Sequence, residues 1–305
     1  MKAAEQRIFE GDFISACGEV PNGGYDLCIA DPPYFKVVGE KWDYQWRTVE
    51  EYLEWSGRWI AKANASIRYG GTLCLFGYPE MLARLLPVCD SCGLKFRQQI
   101  VIDKGIYAVA GRATKKYKMF PNCTESIFVF VKDPLRVVRD ELIEAKNESG
   151  LTAKEINSRL GVKSNGGGMW SIWTGDNVCA QMPTREMWDA LEKVFSRKFK
   201  ARGFAQKFNP QMGLTDVWRD IAFRCAERRI HPTQKPSQLI ERIVTAYTDE
   251  GDTVLDPFGG SCTTAVVCAS MNRNCDCHEI EHRYVEAARK RLDLAKNRIQ
   301  LALEL

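Results

Sequence analysis

Residues 25 to 34 read YDLCIADPPY, an apolar run that stops at an acid, two prolines and a tyrosine. Leu27, Cys28, Ile29 and Ala30 form a short, unbroken apolar stretch, which suits a strand covered on both faces of a parallel sheet rather than a half-wet hairpin strand. Pro32 and Pro33 have no N–H for a ladder and fix their own φ, and each holds the residue before it extended. The strand must therefore stop at Asp31. Beyond it a stiff loop carries a carboxylate, a proline carbonyl and an aromatic ring, Tyr34, at the end of a strand where open α/β sheets bind their ligands.

A second strand-to-turn unit lies near the other end of the chain, in GDTVLDPFGGSCTTAVVCASMN. A strand at 252 to 255 runs into a glycine turn that opens a helix, the context in which such a turn has meaning. Gly259 and Gly260 let backbone approach a ligand closely, and the free N–H groups of the helix start favour a carboxylate or phosphate. No Lys-Ser or Lys-Thr follows the glycines, which disfavours a P-loop. Glu279 ends the next strand about 20 residues on, where an acid can hold the two hydroxyls of a ribose. Together these features imply an adenosine-like cofactor with a charged tail.

Between the two units the periodicity predicts a helix over 49 to 65, a strand at 72 to 77 entered through Gly70-Gly71, a helix from 79 to 92, and strands at 96 to 103 and 126 to 132. The alternation breaks over 133 to 230, as if a separate, helical unit were inserted. Within it Thr152, Glu155 and Gly161 carry the signals of a short capped helix, with Leu151 placed to staple onto Ile156. Alternation resumes at His231, with a helix opened by Pro236.

The chain of 305 residues is 45% hydrophobic and 27% charged, an ordinary globular composition. No apolar stretch approaches a membrane span, and MKAAEQRIFEGD lacks a signal-peptide core, so a cytoplasmic location without membrane partners is expected. The 12 cysteines are scattered through strands and helices, which reads as reduced, buried thiols. Cys89 and Cys92 form one C-x-x-C, but no second pair accompanies it and there are 3 histidines, so no metal is expected. Net charge is +4, and its distribution is uneven. Arg197, Lys198, Lys200 and Arg202 belong to an acid-free basic run interleaved with Phe195, Phe199 and Phe204, and Lys115, Lys116 and Lys118 to another. Phosphate contact and a solvated helix face both fit such runs.

The chain resembles the S-adenosylmethionine-dependent DNA amino-methyltransferases in the permuted order called the beta class. DPPY (31–34), HPTQKP (231–236), DPFGGSCTT (256–264) and HEIEHRYVEAARKRL (278–292) carry the resemblance, with NPQMGLTDVW (209–218) ahead of the histidine motif. It implies a doubly wound, mostly parallel, Rossmann-like α/β sheet, circularly permuted, with a catalytic half at 1–132, an inserted helical target-recognition region at 133–230 and a cofactor-binding half at 231–305. By the same resemblance, Asp256, Phe258, Gly260, Ser261, Cys262 and Thr263 would line the methionine part of S-adenosylmethionine with Lys235 and Pro236. Glu279 would hold the ribose, and Asp12 and Phe13 the adenine. Cys262 stands where the family usually has glycine, and a side chain there is expected to crowd the cofactor. Glu125 matches a position often acidic in the family and reads as structural hydrogen bonding.

An exocyclic base amine is a poor nucleophile buried in a duplex, so the base must be flipped out. The Asp31 carboxylate and Pro32 carbonyl can accept both amine N–H groups and aim the nitrogen lone pair at a sulfonium methyl, with Pro33 stiffening the loop and Tyr34 stacking on the base. Aspartate in the first motif position resembles the N6-adenine members, with N4-cytosine as the alternative. Methylation of RNA or of a protein amide, and a DNA-binding protein with a decayed core, are the rival readings. Double-stranded DNA is the expected partner; the resemblance places the run with Arg197, Lys198, Lys200 and Arg202 in the target-recognition region and so favours DNA contact by it and by Lys115, Lys116 and Lys118, and it leaves room for a homodimer and a companion restriction nuclease.

Overall fold

The computed structural model describes residues 4–16, 24–36, 41–105, 120, 122–162, 168–175, 179–223 and 229–303. The chain divides into two compact units, 1–132 with 207–305, and 133–206.

The first unit is built on β1 (Gln6–Glu10), β2 (Tyr25–Ala30), β3 (Ile67–Gly77), β4 (Leu94–Asp103), β5 (Thr124–Lys132), β6 (Val217–Trp218), β7 (Thr253–Asp256) and β8 (Asn274–Glu279). They form one sheet of order β1-β8-β7-β2-β3-β5-β4-β6. Every neighbouring pair from β1 to β3 is parallel, and β5 runs antiparallel to both β3 and β4. The helices are α1 (Val49–Ser66), α2 (Pro79–Ser91), α7 (Ser237–Tyr247), α8 (Thr263–Ser270) and α9 (His282–Leu303).

β2 is buried on both faces, as its unbroken apolar run requires. Tyr25, Cys28 and Ala30 pack with α1 and α2 through Tyr52, Trp59, Ile60, Leu82 and Leu85. Leu27 and Ile29 pack with α7, α8 and α9 through Leu239, Ile243, Ala265, Val285 and Ala288. The sheet is therefore wound on both sides. Local signals set the helix starts: Thr48 caps α1 by accepting the Glu51 N–H at 3.2 Å, and Pro79 opens α2.

The Gly70-Gly71 pair lies inside β3 rather than before it. A Cβ on Gly71 would stand 2.5 Å from Ile67 Cγ2 and 3.0 Å from the Asp26 carbonyl, so only glycine fits this close approach. There the pairing of β2 with β3 slips, from Tyr25↔Ile67 to Leu27↔Thr72. At the other edge, the beginning and end of the chain meet in the β1–β8 pair, which the Arg7 guanidinium braces through two bonds to Asp276, at 2.7 and 2.6 Å. Tyr25 donates its hydroxyl to the same carboxylate, tying in β2.

The second unit contains α3 (Leu135–Ser149), α4 (Ala153–Arg159), α5 (Gly168–Thr174) and α6 (Arg185–Phe195) around Val138, Leu142, Ile156, Trp170, Trp188 and Leu191. Thr152 and Glu155 form the full capping box of α4, and Gly161 follows it at φ +68°. The sequence expectation carried this region to residue 230. The compact unit closes at Gln206, because 207–223 return to the first unit, where Val217 and Trp218 pair with Val101 and Ile102. Among the described residues no helix is long and apolar enough to cross a membrane.

Candidate active site

Four neighbouring strands, β1, β8, β7 and β2, run parallel and end on the same side of the sheet. Their carboxyl ends deliver Gly11-Asp12-Phe13, Glu279, the DPFGGS turn and the DPPY loop. These four segments line one cavity of about 270 Å³, together with Phe76 from the end of β3, Trp55 from α1, and His231 and Lys235 from the segment before α7. Asp31, Pro32, Pro33 and Tyr34 are all on its wall. So are Asp12, Phe13, Lys235, Asp256, Phe258, Gly260, Ser261, Thr263 and Glu279.

At the Asp31 end the cavity wall is a charge network. Lys235 places Nζ 2.8 Å from Asp31 Oδ2 and 2.8 Å from Glu125 Oε1, and Lys104 Nζ lies 2.9 Å from Glu125 Oε2. The Tyr34 hydroxyl lies 2.8 Å from Asp31 Oδ1 and 3.0 Å from Glu125 Oε1 and shares its one proton between the two carboxylates. Exposure falls from 22% for the Asp31 side chain through 12% for Lys235 to 6% for Glu125. Burial pushes the Asp31 carboxyl above its usual range against the pull of Lys235. At Glu125 burial also pushes upward, but two ammoniums outweigh it and hold the carboxyl at about 2. Tyr34 is thus turned inward, and its ring meets Tyr78 edge-on at 5.2 Å rather than standing free for stacking. The loop itself is pinned by Tyr52, whose hydroxyl donates to the Pro33 carbonyl at 3.2 Å, and by buried Asp43, which accepts the Tyr34 N–H at 2.8 Å.

At the other end, each Glu279 oxygen accepts one backbone N–H, from Gly260 at 2.7 Å and from Glu281 at 2.8 Å. A carboxylate has about four lone-pair sites, so each oxygen keeps capacity for one more donor. Burial raises Glu279 above its usual range and pushes Asp256 well above it, and Thr264 donates to the Asp256 carboxyl at 2.6 Å. Ser261 and Thr263 face each other at 3.1 Å, and Arg291 of α9 holds the turn by donating to the Ser261 carbonyl and the Thr263 hydroxyl. His231, held near pKa 4 chiefly by burial, is neutral, and its ring meets Tyr284 at 4.3 Å.

Two residues assigned to the cofactor are not on the cavity wall. Pro236 is the buried N-cap of α7. Cys262 has φ +47° and ψ +42°, a left-handed conformation that turns its side chain into the core, where it is 0% exposed. It does not crowd the cavity. The position favours glycine because of its backbone conformation, and a cysteine there carries strain rather than bulk. Its thiol, hydrogen-bonded to Cys277 and buried, is pushed well above its ordinary pKa, contrary to the lowering that a helix N-terminus suggests.

The basic run of the second unit is heavily paired. Arg197 meets Glu148 at 2.7 Å and Glu144 at 3.3 Å, Lys198 meets Glu192, and Arg202 meets Asp189 at 2.7 Å and Glu192 at 3.0 Å. Phe199 is buried against Trp188 and Phe195, so the interleaved aromatics are packing. Lys200 is exposed, while its backbone N–H donates to Glu141 at 2.8 Å. Lys115, Lys116 and Lys118 lie outside the described residues. Among the described residues no cluster of His, Cys, Asp and Glu could hold a metal ion.

Sequence reasoning gave Glu125 a structural role and missed Lys104 and Trp55. An isolated acid at the start of a strand, a lysine at a strand end and a tryptophan within a core helix carry no local signal of a shared site.

A sheet of this kind, with charged and glycine loops gathered at the carboxyl ends of its parallel strands, is the ligand-binding arrangement of the open, doubly wound α/β proteins. The family model for DNA methylases matches residues 25–290, and the chain belongs to that family, the N6/N4 DNA methyltransferases. It is 26% identical over 297 residues to the DNA adenine methyltransferase YhdJ of Escherichia coli (strain K12), covering 95% of this chain and 83% of that one. Among solved structures, the M1.HpyAVI-SAM complex superposes with a TM-score of 0.55 at 18% identity, covering 94% of this chain and 99% of that one. The PvuII DNA methyltransferase, described as cytosine-N4-specific, gives 0.56 at 13% identity, covering 97% and 93%. Both structural likenesses are of fold.

Proposed function

We propose that this chain is a beta-class, permuted enzyme that transfers a methyl group from S-adenosylmethionine to the N6 amine of an adenine flipped out of double-stranded DNA. The observation that carries the reading is that Asp31, the glycine turn and Glu279 share one cavity at the ends of three adjacent parallel strands. A direct transfer needs its donor and acceptor sites within reach of each other, and strand adjacency supplies this.

The residues present fit the cofactor. Glu279 keeps acceptor capacity for two ribose hydroxyls beside Asp12 and Phe13, and the Lys235 ammonium with the Ser261 and Thr263 hydroxyls suits a carboxylate at the opposite end. Bound there, S-adenosylmethionine would supply a methyl group activated by a sulfonium, whose C–S bond breaks as the N–C bond forms, the electron pair staying on sulfur as a neutral thioether. The chain's own part is positioning and electrostatics. Asp31 and the Pro32 carbonyl accept the two amine N–H groups, and the carboxylate stabilises the positive charge that grows on nitrogen as the N–C bond forms. Asp31, already accepting an amine N–H, is the carboxylate proposed to take the proton that the methylated amine must shed.

The aspartate of the first motif position and the likeness to a named adenine methyltransferase support adenine. The shared fold of a cytosine-N4 enzyme favours keeping N4-cytosine as the second reading. The helical unit at 133–206 takes the part of target recognition, with Lys200 as its exposed phosphate contact. The test is incubation with mixed-sequence DNA and labelled cofactor, followed by nucleoside mass spectrometry and modification-sensitive sequencing. N6-methyladenine at a defined site is expected. N4-methylcytosine would move the assignment to the second reading, and unmodified DNA would refute both.

A further inference from the structure

Each oxygen of Asp31 already holds one donor. Oδ1 accepts the Tyr34 hydroxyl at 2.8 Å, and Oδ2 meets the Lys235 ammonium at 2.8 Å. Lys235 therefore puts a nitrogen donor on the acceptor that a target amine would need. It cannot remain there during transfer. The amine becomes cationic as it is methylated, and an ammonium sharing the same partly buried carboxylate would oppose that charge.

Lys235 has somewhere to go. Its second partner, Glu125, lies at the same 2.8 Å and is itself anchored by Lys104 at 2.9 Å, so the ammonium can release Asp31 and stay paired. On the cavity side, the Thr263 hydroxyl donates to the Lys235 carbonyl at 3.3 Å, which ties this segment to the glycine turn. Lys235 also lines the same cavity as Ser261 and Thr263, at the end suited to the amino acid part of the cofactor.

We propose that Lys235 is a cap on Asp31, and that it releases Asp31 only when the cofactor's carboxylate offers an alternative partner, so that base capture follows cofactor binding. The proposal rests on the function proposed above. The exchange replaces one carboxylate partner of Lys235 by another and keeps Glu125, so the ammonium stays paired, while the Asp31 carboxylate is left charged to meet the amine as it becomes cationic. Tyr34 is freed in the same step, because a base amine on Asp31 competes for the oxygen its hydroxyl now occupies.

The test uses the full chain and a duplex that keeps the target adenine found by sequencing, with 2-aminopurine as its neighbour, whose fluorescence rises when the adenine leaves the stack. Fluorescence is measured without ligand, with saturating S-adenosylhomocysteine, and with saturating 5′-methylthioadenosine, which lacks the amino acid carboxylate. The expected result is base capture with S-adenosylhomocysteine at least about tenfold above the other two conditions. Lys235→Met should capture the base without any ligand. Equal capture by the wild-type protein in all three conditions overturns the cap, whether or not the variant folds. A ligand requirement that persists in folded Lys235→Met overturns it too. Absence of methylated base in the sequencing experiment is a separate failure, of the function, and removes this proposal with it.

Discussion

Replacing Glu125 by glutamine isolates the charge that holds the network together while preserving size. The carboxyl is 6% exposed and has three partners, Lys235 at 2.8 Å, Lys104 at 2.9 Å and Tyr34 at 3.0 Å. Burial works against its charge, yet its pKa falls from 4.5 to about 2 because the two ammoniums dominate. That gap is worth about 3 kcal/mol of stability, since each pKa step between folded and unfolded states is ~1.36 kcal/mol. The folded value is depressed, so the contribution is complete above the unfolded value of 4.5 and is lost as pH falls toward about 2. Glu125→Gln should therefore lose about 3 kcal/mol at neutral pH and about 2 kcal/mol near pH 3.5. Urea unfolding of wild type and variant at both pH values measures this, with the slope against urea unchanged. A loss below about 1 kcal/mol at neutral pH, or one that grows on acidification, would refute the role of Glu125 as a buried charge anchor.

Asp31→Ala should lower single-turnover methyl transfer by ~10² to 10³ while sparing cofactor and DNA affinity, by analogy with loss of one preorganised oxyanion donor; a wild-type rate, or failure traced to lost cofactor binding, contradicts the assignment. Because burial raises the Asp31 carboxyl above 3.8, turnover should decline on acidification through a value above 3.8, and a pH–rate profile without that limb would show that ionised Asp31 is not required. Lys200→Ala should reduce the salt slope of DNA binding by ~0.9, as one released counterion does, whereas Arg202→Ala, already paired with Asp189 and Glu192, should leave it nearly unchanged. A thiol reagent should label exposed Cys179 in the folded protein and leave Cys262 unmodified with or without cofactor; peptide mapping that finds Cys262 modified would contradict its buried placement.

Local stereochemistry accounts for the features that the chain alone determined. Two prolines end β2 at Asp31 in any fold, two glycines turn the chain after Asp256, and Thr152 with Glu155 starts a helix, because these effects act within a few residues. The apolar run of β2 required cover on both faces, and helices on both sides of the sheet supply it. That the DPPY loop and the glycine turn would meet came from resemblance, and pairing of Leu27 with Val254 brings them together. Partnership was decided only by the tertiary structure. Asp31 shares Lys235 with Glu125, residues brought together from β5 and from the approach to α7. A basic run that looked open in sequence is matched by Glu144, Glu148, Asp189 and Glu192 from helices whose acids no linear pattern aligns with it. Cys262 points into the core because its backbone is left-handed, which residue type alone does not announce. Backbone preferences are short-ranged and legible along the chain, whereas electrostatic pairing and burial depend on what the fold places a few ångströms away.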